Sequence, residues 1–83
     1  MTIEFTVEQA GCASCGKLIR EALTELGQVG QVDVDEQADE ALVALEPSGS
    51  VSQVDVDQIL SRVSPAAGHA YRVRQGSWRP VAS

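Results

Sequence analysis

Thr2-Ile3-Glu4-Phe5-Thr6-Val7-Glu8, running on into Gln9-Ala10-Gly11-Cys12-Ala13-Ser14-Cys15-Gly16-Lys17-Leu18-Ile19-Arg20, decides how this chain folds. Ile3, Phe5 and Val7 alternate with polar residues, the period-two pattern of a strand with one buried face. Beyond the cysteines the period changes. Leu18, Ile19, Ala22, Leu23 and Leu26 recur at helical spacing until Gly27 offers a C-terminal stop. A strand is therefore expected over 2–8 and a helix from about Cys12 or Ala13 to Leu26. The switch between them holds both cysteines of the chain.

Working outward, Val29, Val32 and Val34 mark a second strand, and the polar run Asp35 to Asp39 a short hairpin connection. Ala41, Val43 and Leu45 supply the inward face of a third strand, and Pro47 and Gly49 interrupt regular structure after it. Ser52 or Asp55 can cap a second helix whose apolar face is Val56, Ile59, Leu60 and Val63, with Pro65 ending it. Tyr71 and Val73 alternate with Arg72 and Arg74 as a last strand. The order strand, helix, strand, strand, helix, strand predicts an α+β, ferredoxin-like βαββαβ fold. Such a fold is a four-stranded antiparallel sheet with both helices on one face. The domain is expected over 1–75. Residues 76–83 lack periodicity and read as a flexible C-terminal tail, with Trp78 a surface aromatic and the whole segment dispensable for binding.

Eighty-three residues make one domain, and with single Trp, Tyr and Phe residues its core must be aliphatic. The N-terminus carries Glu4 in its first apolar stretch and no basic flank, so it does not read as a secretory signal. No run approaches the roughly 20 apolar residues of a membrane span. A soluble, cytoplasmic protein is expected. In a reducing compartment two close cysteines favour a metal or redox role over a structural disulfide. Twelve acidic residues up to Asp57 face only Lys17 and Arg20, whereas the remainder holds four arginines and no acidic residue. The resulting net charge of −6 argues against nucleic acid as a partner. It fits a solvated acidic surface, or one that steers toward a basic partner.

Two thiols three positions apart can bite one soft metal ion or close a small disulfide ring. A helix start offers unpaired N–H groups and partial positive charge, both of which favour thiolate, and Lys17 adds a full charge nearby. Soft thiolates select Cu(I), which is satisfied by two or three ligands, whereas structural Zn²⁺ usually takes four. Beyond the two cysteines the chain has one histidine, His69. The topology brings its loop toward the cysteines, making it a candidate third ligand. An exposed two-thiolate ion also invites a second molecule, so a metal-bridged homodimer is a further expectation. A thiol-disulfide oxidoreductase, with Cys12 attacking and Cys15 resolving, is the competing reading. The intervening Ala13-Ser14 lacks the Pro and flanking Trp of thioredoxin-like enzymes.

Gly11 to Arg20, following the strand 2–8 and preceding Val32-Asp33-Val34-Asp35 and Ala67-Gly68-His69, resembles the heavy-metal-associated domain family. The resemblance covers about residues 1–74 and is to small bacterial copper chaperones of the CopZ type in particular. It implies a non-enzymatic metallochaperone in which Cys12 and Cys15 bind Cu(I). The ion would pass by ligand exchange to the metal-binding domain of a copper-transporting P-type ATPase. Gly11 and Lys17 would flank the ion, and either His69 or Tyr71 would stand beside it. Three departures qualify this. Ala10 stands where the family often has a packing Met, which predicts a looser loop. Gly11 replaces the acidic residue of zinc and cadmium members, which favours copper over those two, with a Zn-, Cd- or Hg-binding domain of the same family as the alternative. The last connection, Val63 to Tyr71, is longer than usual, which leaves His69 and Tyr71 as alternatives.

Overall fold

The structure, a computed structural model, describes residues 2–67 and 70–81. The alternation at the N-terminus becomes β1 (Thr2–Glu8), and it is followed by α1 (Cys15–Leu23), β2 (Gly27–Asp35) and β3 (Glu40–Pro47). After these come α2 (Gln53–Ala67), β4 (Arg72–Val73) and β5 (Arg79–Val81). The sheet order is β2-β3-β1-β4, antiparallel throughout, with β5 also paired to β1. This is the ferredoxin-like arrangement.

Register explains the valine spacing of β2. Ile3, Phe5 and Val7 stand opposite Leu45, Val43 and Ala41, which makes one continuous apolar row. Val29 pairs with Leu45, but Val32 and Val34 pair with Val43 and Ala41, because a bulge shifts the ladder between Val29 and Gln31. The extra residue keeps all three valines on the same side despite their uneven spacing. Against this row α1 places Cys15, Ile19 and Leu23, and α2 places Val56, Ile59 and Leu60, all buried. At the start of β2 the chain passes close under the end of β3. A Cβ on Gly27 would collide with the Glu46 carbonyl oxygen and stand 2.7 Å from Pro47 Cα. Gly27→Ala should therefore lower stability by about 1–3 kcal/mol, measurable by urea unfolding.

Four expectations need correction. Helix α1 spans Cys15–Leu23 rather than Cys12 or Ala13 to Leu26: the residues before it form a turn in which Cys15 N–H donates to the Cys12 carbonyl at 3.1 Å, and Gly27, the expected stop, opens β2. Helix α2 runs through Pro65 to Ala67. A proline there removes from the ladder the N–H that would meet the Ser61 carbonyl. Ser52 and Asp55 cap that helix together, with Asp55 N–H on Ser52 Oγ (3.3 Å) and Ser52 N–H on Asp55 Oδ2 (2.9 Å).

The remaining two corrections concern the C-terminal segment. Residues 79–81 are a strand rather than part of a loose tail. Val7 pairs with Val73, and Glu4 with Arg79, so β5 continues the edge begun by β4 after an insertion in the ladder. At the insertion Thr6 N–H is satisfied by Ser77 Oγ at 3.1 Å. The sheet thus has five strands in four positions. Trp78 is not a stray surface aromatic: it is half-buried against the core and stacks on Phe5 with ring centroids 5.3 Å apart. On the same edge Arg72, Arg74 and Arg79 reach Glu8, Glu40 and Glu4 at 2.8–2.9 Å. The basic and acidic parts of the sequence therefore interdigitate, in exposed pairs worth about 0–1 kcal/mol each.

Candidate metal centre

The link between β1 and α1 carries both cysteines, and each is positioned differently. Cys15 opens α1 on the helix face that continues through Ile19 and Leu23, and it is fully buried in the core. Gly16 beside it lets this first turn approach β2, since a Cβ there would lie 3.0 Å from Val34 Cγ2. Cys12 precedes the helix and is half-buried at the rim of the core. The two are joined as a disulfide, with Cα atoms 5.2 Å apart. Ser14 occupies the N-cap position without capping the helix, and its Oγ lies 3.7 Å from Cys12 Sγ.

The N-terminal half of the loop is fixed by the turn between β2 and β3. Ala10 is buried, and its N–H donates to the Asp39 carbonyl at 3.1 Å. Gly11 N–H donates to Asp39 Oδ1 at 3.0 Å. Two hydrogen bonds thus hold the loop backbone where the family's larger side chain would pack. On the opposite side Gln9 Oε1 accepts Ala70 N–H at 3.2 Å, which brings the last connection to the cysteine loop.

Of the other residues singled out in the sequence, Lys17 is exposed on α1 and forms no ion pair among the described residues. Tyr71 is buried just before β4, its N–H on Ser64 Oγ at 3.0 Å, and burial raises its phenol above the ordinary value. It belongs to the same apolar cluster as Cys15. His69 lies outside the described residues. No sequence signal marks Asp39 as a partner of the cysteine loop. Asp39 sits in a polar turn far along the chain, and only its contact with Gly11 gives it a role.

Chemically, the arrangement offers one pair of sulfurs with unequal access. In the oxidised state Cys12 is the sulfur that a thiolate or metal reagent meets first. In the reduced state an ion must enter between the sulfurs. Cys15 is locked in the core, so any widening falls to the Cys12 loop. No group of three or more His, Cys, Asp or Glu residues placed to hold a metal occurs among the described residues. Nor is any helix among them long and apolar enough to cross a membrane.

The family model of the heavy-metal-associated domain matches residues 4–69. Among solved structures the fold is similar to oxidised MerP from Ralstonia metallidurans CH34, with 21% identity and a TM-score of 0.56 over 90% of this chain and 100% of that one. It is equally similar to a chain studied for crosstalk between Cu(I) and Zn(II) homeostasis, at 22% identity and TM-score 0.56 over 89% and 96% of the two chains. The mercury-bound form of MerP, the periplasmic protein of the bacterial mercury detoxification system, matches at 27% identity. Its TM-score is 0.51, over 90% of this chain and all of that one. No curated protein matches the sequence significantly.

Proposed function

The chain belongs to the heavy-metal-associated domain family, and from that premise we propose that it is a carrier of Cu(I). In this reading reduced Cys12 and Cys15 grip the ion and surrender it by thiolate exchange to the metal-binding domain of a copper-transporting P-type ATPase. One observation carries the choice of ion. The two sulfurs are brought together in one loop, with Cα atoms 5.2 Å apart. A two-thiolate site satisfies Cu(I) and leaves Zn²⁺ short of the four ligands it usually takes. Unequal access supports exchange: a partner's thiolate attacks the ion from the Cys12 side, while buried Cys15 lets go last. The copper complex of two thiolates is anionic, and exposed Lys17 is available to offset it. The carrier state needs free thiols, so this reading places the chain in a reducing compartment such as the cytoplasm, without enzymatic turnover.

Soft-metal chemistry also supports a second reading. Hg(II) favours the same paired thiolates, and the mercury-bound MerP likeness stands at 27% identity. Anaerobic competition among Cu(I), Hg(II) and Zn(II) for the reduced chain, run beside an insulin-reduction assay, tests the proposal. Cu(I) retention against a strong chelator with no insulin turnover is expected. Insulin turnover without tight copper binding would replace the carrier by an oxidoreductase. If the acidic surface docks the chain on a basic partner, the transfer rate should fall steeply between low and physiological salt, as stopped-flow transfer would read. A rate indifferent to salt would remove that docking mode. Metal-bridged dimers are expected at high protein concentration and substoichiometric Cu(I), visible as a shift in sedimentation.

A further inference from the structure

Among the described residues two that are not glycine adopt a left-handed backbone, Gln9 (φ 59°) and Asp39 (φ 55°). Both stand against the cysteine loop, although they belong to different connections. A side-chain-bearing residue keeps that conformation only where its surroundings hold it, and such residues gather where geometry matters. Here the holding contacts are explicit. Asp39 takes the Ala10 N–H on its carbonyl (3.1 Å) and the Gly11 N–H on its carboxylate (3.0 Å), so the two amides immediately before Cys12 are tied to one residue. The fit depends on position 11 having no side chain. A Cβ on Gly11 would stand 2.8 Å from Asp39 Oδ1 and 2.6 Å from Asp39 Cα. The turn that presents Asp39 is itself held, with Asp35 Oδ1 accepting the Gln37 and Ala38 N–H groups at 3.1 Å each.

We infer that Asp39 is a positioning residue of the cysteine pair: it fixes the half-buried partner, Cys12, at the approach to the fully buried one, Cys15. Loss of its carboxylate acceptor then weakens every reaction that needs both sulfurs together. One such reaction is disulfide closure. The two thiols give two electrons and two protons to one glutathione disulfide, the Cys12–Cys15 bond forms, the glutathione S–S bond breaks, and two glutathione thiols leave. The other is capture of a soft ion, and this half alone rests on the carrier reading above.

Two variants separate the hydrogen bond from the backbone strain. Asp39→Gly accepts the left-handed backbone but removes the acceptor, whereas Asp39→Asn tolerates the backbone and keeps a carbonyl acceptor without the charge. In metal-free glutathione buffers Asp39→Gly should shift the equilibrium toward the dithiol about fivefold, the loss expected for one hydrogen bond, and Asp39→Asn should stay near the parent. Cu(I) affinity should fall by a similar factor in Asp39→Gly alone. The Gly11 amide should exchange faster with solvent in the same variant. An unchanged glutathione equilibrium in Asp39→Gly overturns the inference, including the case in which only its melting temperature falls. So does an Asn variant as impaired as the Gly variant. If Asp39→Gly does not fold, Gly11→Ala, whose methyl displaces the carboxylate, is measured in its place with the same two outcomes. A parent chain that fails to hold Cu(I) removes the carrier reading, while the glutathione equilibrium still decides the role of Asp39.

Discussion

On the proposed carrier reading Cys12→Ser and Cys15→Ser should each abolish tight Cu(I) binding, but they should differ in what else they do. A serine hydroxyl is a hard, neutral donor that cannot replace a soft anionic thiolate. The affinity loss from either change should exceed the roughly 10–100-fold that removal of an outer-shell partner costs. Stability separates the two. Cys12 is half-buried at the rim, and its replacement should leave the unfolding midpoint close to that of the reduced parent. Cys15 is fully enclosed with Ile19 and Leu23. A hydroxyl placed there without a partner costs about 1–3 kcal/mol, so Cys15→Ser should melt measurably lower. Competition with a chromogenic chelator reads the first effect, and thermal unfolding under reducing conditions the second. Equal melting of the two serine variants would contradict the assignment of Cys15 to the core.

Deleting residues 76–83 strips the protein of much of its stability. The segment contributes Trp78 stacked on Phe5, the β5 pairing to β1, the Ser77 hydroxyl on Thr6 N–H and the Arg79–Glu4 pair. The ion pair is exposed and matters little, but the indole does not. Complete loss of a core Trp or Phe costs about 3–5 kcal/mol, and a half-buried ring should account for about 2–3 of these. In a domain this small such a change moves the melting temperature by about 10–20 °C. Trp78→Ala isolates the ring from the strand and should reproduce most of the effect. Metal affinity of the folded Trp78→Ala protein should stay near that of the parent, because the ring lies along β1 away from the cysteine loop. A tail deletion with unaltered melting would show that β5 is not part of the folded unit.

The βαββαβ order could be read from the sequence because each element carries its own period. Ile3-Phe5-Val7, Ala41-Val43-Leu45 and Val56-Ile59-Leu60 report the buried faces locally, and all nine are in the core. What escaped the reading depends on partners distant in sequence. The fifth strand follows an insertion that breaks the alternation after Val73, and Trp78 acquires meaning only from Phe5 at the other end of the chain. The end of α2, two residues beyond Pro65, lies within the span over which a breaker residue places a helix terminus.

At the site, the proximity of the cysteines was legible from their spacing, but their inequality was not drawn from it. The signal was present: Cys15, Ile19 and Leu23 lie four residues apart, on one helical stripe, which marks Cys15 as a core residue. Asp39 had no such signal. A turn aspartate reads as turn chemistry, and its reach to Gly11 spans two connections that meet only in the folded sheet. Lys17 keeps the exposed place that its helix position implied, and Tyr71, whose alternation with Val73 marks an inward face, is buried in the core.

In the proposed carrier the paired sulfurs, when reduced, anchor the ion. Copper stoichiometry against a competing chelator, measured on the same sample before and after reduction, tests it most directly. The reduced chain should retain one Cu(I) per molecule at dilute, monomeric concentration, and the oxidised chain none. Equal retention by the disulfide-bonded chain would place the ion elsewhere and contradict the account.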